Sequence, residues 1–376
     1  MLAHCGGLMM QKTITRRAII GGLVAAGGIG IAGGYFMSRS GTYDQLLAEQ
    51  MRPLADDPDV VDLVRYATLA ANSHNTQPWI FRAGAGGIDV LPDASRRTPV
   101  VDPDDHHLYA SLGCAAENLS IAAKARGLSG DVQFAAEGET GRLRVVLDPA
   151  SREESGLFAA IPIRQCARAV YDGSAIGNEL MTRLEASARI DGVEPIFVTD
   201  PAQRERILDL VVAGNNAQLD DPAFMAELKF WLRFNEGALA ASRDGLFSAA
   251  SGNPTFPSWL GPLMFDLFIT KDGEKTKLAK QMRSSPGLVV LVAPTDDKAG
   301  WVATGRACQR FALQATIDGL KHAFVNQAVE VPTVRRELQS LLGVGDRRPS
   351  LLVRFGNGPN MPRSLRRDAR DVLLTS

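Results

Sequence analysis

The stretch Ala71-Asn72-Ser73-His74-Asn75-Thr76-Gln77-Pro78-Trp79-Ile80-Phe81 is dense in polar side chains yet lies between apolar segments. Upstream, Val60, Val61, Leu63, Val64, Ala67 and Ala71 recur at helical spacing, and downstream Pro78-Trp79-Ile80-Phe81 reads as the opening of a strand. The polar run is therefore expected to be a helix-to-strand corner. Asn72, Ser73 and Asn75 suit the backbone angles that such a corner demands and can cap it locally.

Outward from the corner, strands and helices alternate, which implies an α/β or α+β fold. Gly87–Leu91 reads as a short strand, 96–105 as a loop, and a helix opens near Asp104-Asp105, whose carboxylates suit a helix N-terminus. That helix passes through Leu112, Ala115, Ala116, Leu119, Ala122 and Ala123 to Gly127-Leu128, and short strands follow near 132–134 and 143–147. A similar order returns later: a strand at Leu288–Val292, a helix from Gly305 through Cys308, Phe311, Ala312 and Ala315 to Gly319-Leu320, and strands near Phe324 and 350–353. Gly113 to Gly127 and Gly305 to Gly319 are both fourteen residues apart, and each is followed by Leu. This register points to internal duplication. Before the corner, 43–59 reads as a polar, proline-punctuated linker. Between the repeats, Arg164 and Arg168 are spaced to share one face of a helix whose N-terminus would make an anion site. The region 220–281 reads as a long, less regular insertion, with 245–265 as a lid.

The chain has 376 residues, 45% hydrophobic and 22% charged, with a formal net charge of -1, enough for two domains or a fused double domain. No basic stripe is present, which argues against a nucleic-acid partner. Cys5, Cys114, Cys166 and Cys308 fit neither a zinc spacing nor a disulfide framework, and Cys114 and Cys308 fall on apolar helix faces. His106 and His107 show no metal-ligand partner at a usable spacing and read as surface or loop residues. At the N-terminus, Thr15-Arg16-Arg17-Ala18-Ile19-Ile20 precedes an uncharged Gly/Ala/Ile-rich run to Met37, the layout of a twin-arginine export signal. No clean Ala-x-Ala site follows, so the segment of about 20 residues is long enough to remain as a membrane anchor. A periplasmic protein, handled by the twin-arginine machinery, is the expectation.

Asn72-Ser73-His74-Asn75-Thr76-Gln77-Pro78-Trp79 resembles the Pro-Ser-Ser-x-Asn-x-Gln-Pro-Trp signature of the nitroreductase-like flavoproteins. Arg164-Gln165-Cys166-Ala167-Arg168 is similar to the family's Arg-Arg-Ser-x-Arg element, which grips the FMN phosphate and ribityl chain, with Gln165 in place of a basic residue and Cys166 in place of Ser. Arg363 and Arg366 lie where family members carry C-terminal basic residues that reach the same phosphate. The order of elements over most of 60–370 is similar to that of the fused, two-half (Acg-like) branch. The resemblance implies an α+β nitroreductase-like fold, duplicated into a pseudo-dimer, with halves at 43–150 and 151–376. It implies FMN, with Asn72, Ser73, Asn75 and Gln77 at the ring and Arg164, Gln165, Cys166, Arg168, Arg363 and Arg366 at the phosphate. His74 lies within reach of the flavin edge. No catalytic acid or base is assigned, because the flavin itself would move electrons from NAD(P)H to a small-molecule acceptor. An exported flavin-sequestering or storage protein fits the same residues. Since the Asn-rich corner occurs in one half and the arginine element in the other, one FMN per chain, with no second chain required, is the expected stoichiometry.

Overall fold

The computed structural model describes residues 41–374 apart from 137 and 139; the Arg16-Arg17 run and Cys5 lie outside the described residues. Its strands, in chain order, are β1 (Trp79–Gly84), β2 (Gly87–Pro92), β3 (Val132–Ala135), β4 (Arg142–Val146), β5 (Glu194–Val198), β6 (Leu232–Arg233), β7 (Leu246–Phe247), β8 (Gly287–Val292), β9 (Lys321–Phe324), β10 (Pro349–Gly356) and β11 (Leu373–Leu374). They form a sheet of order β11-β1-β2-β4-β3, a sheet of order β5-β8-β10-β9, and a small β6-β7 pair. The second sheet is antiparallel throughout, whereas β11 runs parallel to β1. The chain's last strand thus returns to the first sheet, across the boundary expected at 150.

Two long helices lie between the sheets, His106–Lys124 and Lys298–Ile317. They cross where neither can carry a side chain. A Cβ on Gly113 would lie 2.2 Å from the Val302 carbonyl oxygen, and one on Gly305 would lie 1.9 Å from that of Ala110. Both helices end in the same way: Gly127 and Gly319 adopt φ of +79° and +77°, and the N–H groups of Leu128 and Leu320 cap the carbonyls of Ala123 and Ala315. A left-handed glycine followed by such a bond is a common way to satisfy the last carbonyls of a helix. The fourteen-residue register seen in the sequence therefore corresponds to a repeated crossing point and a repeated stop. Around these helices, Trp79, Phe81, Leu112, Leu119 and Leu143 are buried against the first sheet, and Phe311, Val289, Leu291, Val353 and Phe355 against the second.

Several expectations change. The second central helix begins at Lys298, seven residues before Gly305, because Asp297 accepts from the Gly300 N–H and starts it. The first central helix begins at His106, directly after Asp104-Asp105, and Asp104 accepts weakly from the His106 N–H at 3.4 Å; the stronger cap is Asp102, whose two carboxylate oxygens accept from the N–H groups of His107 and Leu108. Residues 41–50 are helical, so the linker reading holds only beyond 50. The segment 220–281 is mostly helix: Pro222–Trp231, Glu236–Ser242, Gly261–Phe268 and Lys271–Arg283. Asp221, Asn235 and Thr270 each accept a backbone N–H at the start of one of these helices, a capping signal that outweighs the region's glycines and prolines. Finally, Arg164 and Arg168 do not lie on a helix. The short helix Gly156–Ala160 ends before them, and the backbone at Cys166 instead bridges to His322 at the edge of β9.

Candidate functional site

The corner joins the helix Val60–Thr68 to β1 through a short 3-10 turn at Ser73–Asn75. His74, Asn75 and Gln77 have φ of 48°, 53° and 54°, three left-handed residues within four positions. Asparagine and histidine visit this region more readily than glutamine, but three such residues within four positions need partners to hold them. Those partners are visible. The Asn75 amide donates to the carbonyls of Gly245 and Leu365 at 3.0 and 3.1 Å, and its oxygen accepts from Arg366 at 2.8 Å. The Gln77 amide donates to the Arg243 carbonyl at 2.8 Å and accepts from the Arg367 N–H at 2.8 Å. Asn72 accepts from the Gln77 N–H at 2.9 Å. Hence Asn75 and Gln77, expected at a flavin ring, clamp the strap 243–245 and the segment 365–367 to the corner. Gln77 is fully buried and borders neither cavity described below.

Beside the corner is a cavity of about 110 Å³ lined by Asn72, His74, Asn75, Arg164, Gln165, Cys166, Arg168, Arg363 and Arg366, among others, with no carboxylate. None of these four arginines has an ion pair among the described residues. The Arg164 guanidinium is buried, donates to the Leu69 carbonyl at 2.7 Å, and leaves its Nε–H without a partner. Burial pushes Arg164, Arg363 and Arg366 below the usual arginine range, Arg366 to about 9, with the neighbouring arginines adding to the effect on the last two. All remain cations at neutral pH. Four cations facing one concavity without a counter-charge are stabilised by an anion.

The individual roles differ from the expectation. Arg366 donates to Thr68 O and Asn75 Oδ1 at 2.8 Å and to Ala70 O at 3.2 Å, closing the end of the helix that leads into the corner. Arg363 donates to the carbonyls of Pro162, Ile163 and Arg164 and so holds the arginine segment. The Gln165 amide is tied to the Met361 backbone in both directions, which leaves its second N–H beside the cavity. Arg168 has one weak bond, to Ser251 Oγ at 3.4 Å, and is the cation most available to a guest. Arg354, which nothing in the sequence singles out, is fully buried, lies over the Tyr171 ring at 4.1 Å, and donates to the carbonyls of Ala167 and Ala169 on either side of Arg168.

A second cavity, of about 260 Å³, adjoins the first and shares Ala71, Asn72, His74, Arg168, Leu246 and Phe324 with it. Phe224, Leu228, Phe265 and Ile269 of the 220–281 excursion give it an apolar wall, and Ser73, His107, Gln218, Asn326 and Glu330 a polar one. His74 stands at the junction. Burial holds it neutral, with its value lowered to about 4, and its Nδ1 lies 3.1 Å from Ser73 Oγ. His106 and His107, expected at the surface, are buried at 1% and 5% exposure because they form the first inward turn of the central helix. Asp102, His106 and His107 bring potential ligand atoms within 4.8 Å of one another, closer than their spacing in the sequence suggests. Both Asp102 oxygens, however, are already capping the helix. Cys114 and Cys308, far apart in sequence, are neighbours across the helix crossing, and the Cys114 hydrogen bond and burial push the Cys308 thiol up.

No family model matches the chain. Two curated proteins named "Putative NAD(P)H nitroreductase", from two strains of Mycobacterium tuberculosis, are each 23% identical to it over 328 residues, 85% of this chain and 92% of theirs. Among solved structures, the FMN-dependent nitroreductase NfnB of Mycobacterium smegmatis in complex with NADPH is 15% identical over 55% of this chain and 93% of its own, with a TM-score of 0.36. A nitroreductase with bound FMN from Desulfitobacterium hafniense is 13% identical over 60% of this chain and 100% of its own, with a TM-score of 0.38.

Proposed function

We propose that this chain is an FMN-dependent oxidoreductase of the nitroreductase type, taking electrons from NAD(P)H and passing them to a small acceptor. The observation that carries the reading is the arginine-lined cavity: four cations, no carboxylate, and a buried Arg164 Nε–H without a partner, beside a chamber with one apolar wall. A phosphate fits that donor set. The full-length similarity to proteins named as nitroreductases points the same way. Arg164 and Arg168 hold the phosphate, while Arg363, Arg366 and Arg354 fix the backbone that presents them. Asn72, Ser73 and His74 line the junction where the two cavities meet. When bound, FMN supplies two-electron transfer between a donor and an acceptor. The apolar wall of the excursion gives the larger chamber a face against which a flat guest can pack. That chamber leaves room for a second molecule beside the cofactor, which a storage protein would not need.

The fused halves form one site. Both central helices cross at their glycines, but the arginine segment and the Asn-rich corner meet once, so the chain binds one FMN without a partner chain. Arg168→Ala removes the most available charge-assisted donor, worth roughly 1.5–3 kcal/mol, or about 10- to 100-fold in FMN affinity. Flavin absorbance against protein concentration, on a monodisperse sample of known mass, reads both claims. Two flavins per chain, or full occupancy in a folded Arg168→Ala protein, would sink them. The chain is also exported through Arg16-Arg17; periplasmic appearance of the Arg16→Lys, Arg17→Lys double variant would remove that part of the proposal.

A further inference from the structure

On its polar side the larger cavity is bordered by a buried ion pair. His107 Nε2 lies 3.4 Å from Glu330 Oε1, with side-chain exposures of 5% and 13%. The other Glu330 oxygen accepts from Gln218 Nε2 at 2.6 Å. His107 is fixed from behind, since its N–H donates to Asp102 and its carbonyl accepts from Ser111 Oγ at 2.7 Å. Ser111 Oγ in turn accepts from the Ser73 N–H at 3.2 Å, so the pair and the corner share one hydrogen-bond chain. A buried ion pair seldom adds net stability over apolar side chains of the same volume. This one is not sealed in the core; both partners line the chamber, together with His74.

Resting on the reading of this chamber as the acceptor site of a flavin oxidoreductase, we propose that His107 is the proton donor for acceptor reduction and that Glu330 positions it and balances its charge. The acceptor is a planar molecule of quinone type. Bound reduced FMN would supply both electrons and the first proton, together a hydride, and the second proton comes from an N–H of the His107 imidazolium. That N–H bond breaks, an O–H bond forms on the product, the electron pair stays on nitrogen, and Glu330 remains a carboxylate throughout. Water entering the chamber restores the proton.

The charged and titratable groups facing His107 are His106 on its own helix, Asp102 in the preceding loop, Glu330, Arg348 at the head of β10, and His74 from the corner. Burial alone would lower His107, but the Glu330 hydrogen bond and the charges of Asp102 and Glu330 outweigh it and hold the imidazole above its ordinary value. Burial raises Glu330, yet the His107 bond keeps it below the ordinary carboxylate range. The Glu330 contact therefore favours the protonated imidazole, and the proton is lost as pH rises through the raised value. In Glu330→Gln, burial and the Arg348 charge still lower His107 and only the Asp102 charge still raises it, so the His107 titration is expected to move down, below its ordinary value.

The first test follows the His107 ring C–H resonance with pH in isotope-labelled, FMN-loaded protein, assigned by its loss in His107→Gln. Wild type should titrate above about 6.5 and Glu330→Gln below it. The second mixes pre-reduced protein with a soluble benzoquinone. Reoxidation should slow at least tenfold in Glu330→Gln and in His107→Gln at pH 7, at unchanged flavin content, and the alkaline fall in the wild-type rate should vanish. A His107 titration that ignores Glu330→Gln, or wild-type reoxidation in a flavin-loaded His107→Gln protein, overturns the donor role alone. A protein that takes up no FMN overturns the cofactor reading and the donor role with it. Should His107→Gln fail to fold, Glu330→Gln carries both readouts.

Discussion

The two central helices share a crossing and a stop, whereas the corner at 72–77 and the turn at 189–194 have little in common. Each central helix crosses its partner at a glycine and stops at a left-handed glycine followed by leucine. The first corner buries Asn75, Thr76 and Gln77, holds three left-handed residues, and binds the strap and the C-terminal segment through Asn75 and Gln77. The second, 189–194, turns at Asp191 and Gly192 with φ of 50° and 76° and then enters β5. Its polar groups face outward: Asp191 pairs with Arg306, and Glu194 pairs with Arg347 at 2.5 Å, both members about half exposed. Shared scaffold therefore does not imply shared site. The site lies where a corner has acquired partners from elsewhere in the chain.

The crossing is the contact both central helices depend on, so breaking it should have the largest effect. Gly305→Ala places a Cβ within 1.9 Å of a backbone oxygen, which only separation of the helices can relieve. We expect a loss of about 3 kcal/mol or more, seen as a fall in the urea midpoint. Gly319→Ala is the control. Its Cβ would meet nothing within 4 Å, so only the left-handed φ of +77° is strained, at about 1 kcal/mol. Equal losses would mean that the crossing is not close-packed.

Disrupting the first corner should rank next. Asn75→Ala leaves the carbonyls of Gly245 and Leu365 and the Arg366 guanidinium without their partner and puts alanine at a φ of 53°. A loss of roughly 2–4 kcal/mol is expected, together with faster proteolysis within 243–256 as the strap detaches. Unchanged proteolysis would show that the strap is held from the excursion side, through Arg233 and Arg96 on Asp244.

What the sequence made legible follows from range. Periodicity, glycine spacing and the polar run depend on neighbours a few residues apart, and they placed the central helices, most strands and the corner. The pocket residues Asn72, Ser73, Arg164, Arg168, Arg363 and Arg366 could be named because a motif recorded them. Their division of labour could not, since whether an amide meets a ligand or the carbonyls of Gly245 and Leu365 is decided by segments 170 and 290 positions away. The same holds for the partnership of His107 with Glu330. Glu330 ends a four-residue helix, Gln327–Glu330, that shows no periodicity at all. Helical caps at Asp221, Asn235 and Thr270 were readable signals masked by the surrounding glycines and prolines.

The second corner should give the smallest effect, and that makes it the sharper test of the comparison. Glu194→Gln removes a pair whose members are 40% and 47% exposed, where solvent screening and side-chain entropy leave little net attraction. The expected loss is about 0.5 kcal/mol or less. No element of the arginine-lined cavity touches Glu194, so flavin content per chain should stay at the wild-type value. Under the proposed duplication, position 194 corresponds to Gln77, which bonds the strap and the C-terminal segment from full burial. If Glu194→Gln lowered flavin content, or cost as much as Asn75→Ala, the second corner would be part of a site after all, and one flavin per chain would no longer follow from where the arginines and the Asn-rich corner meet.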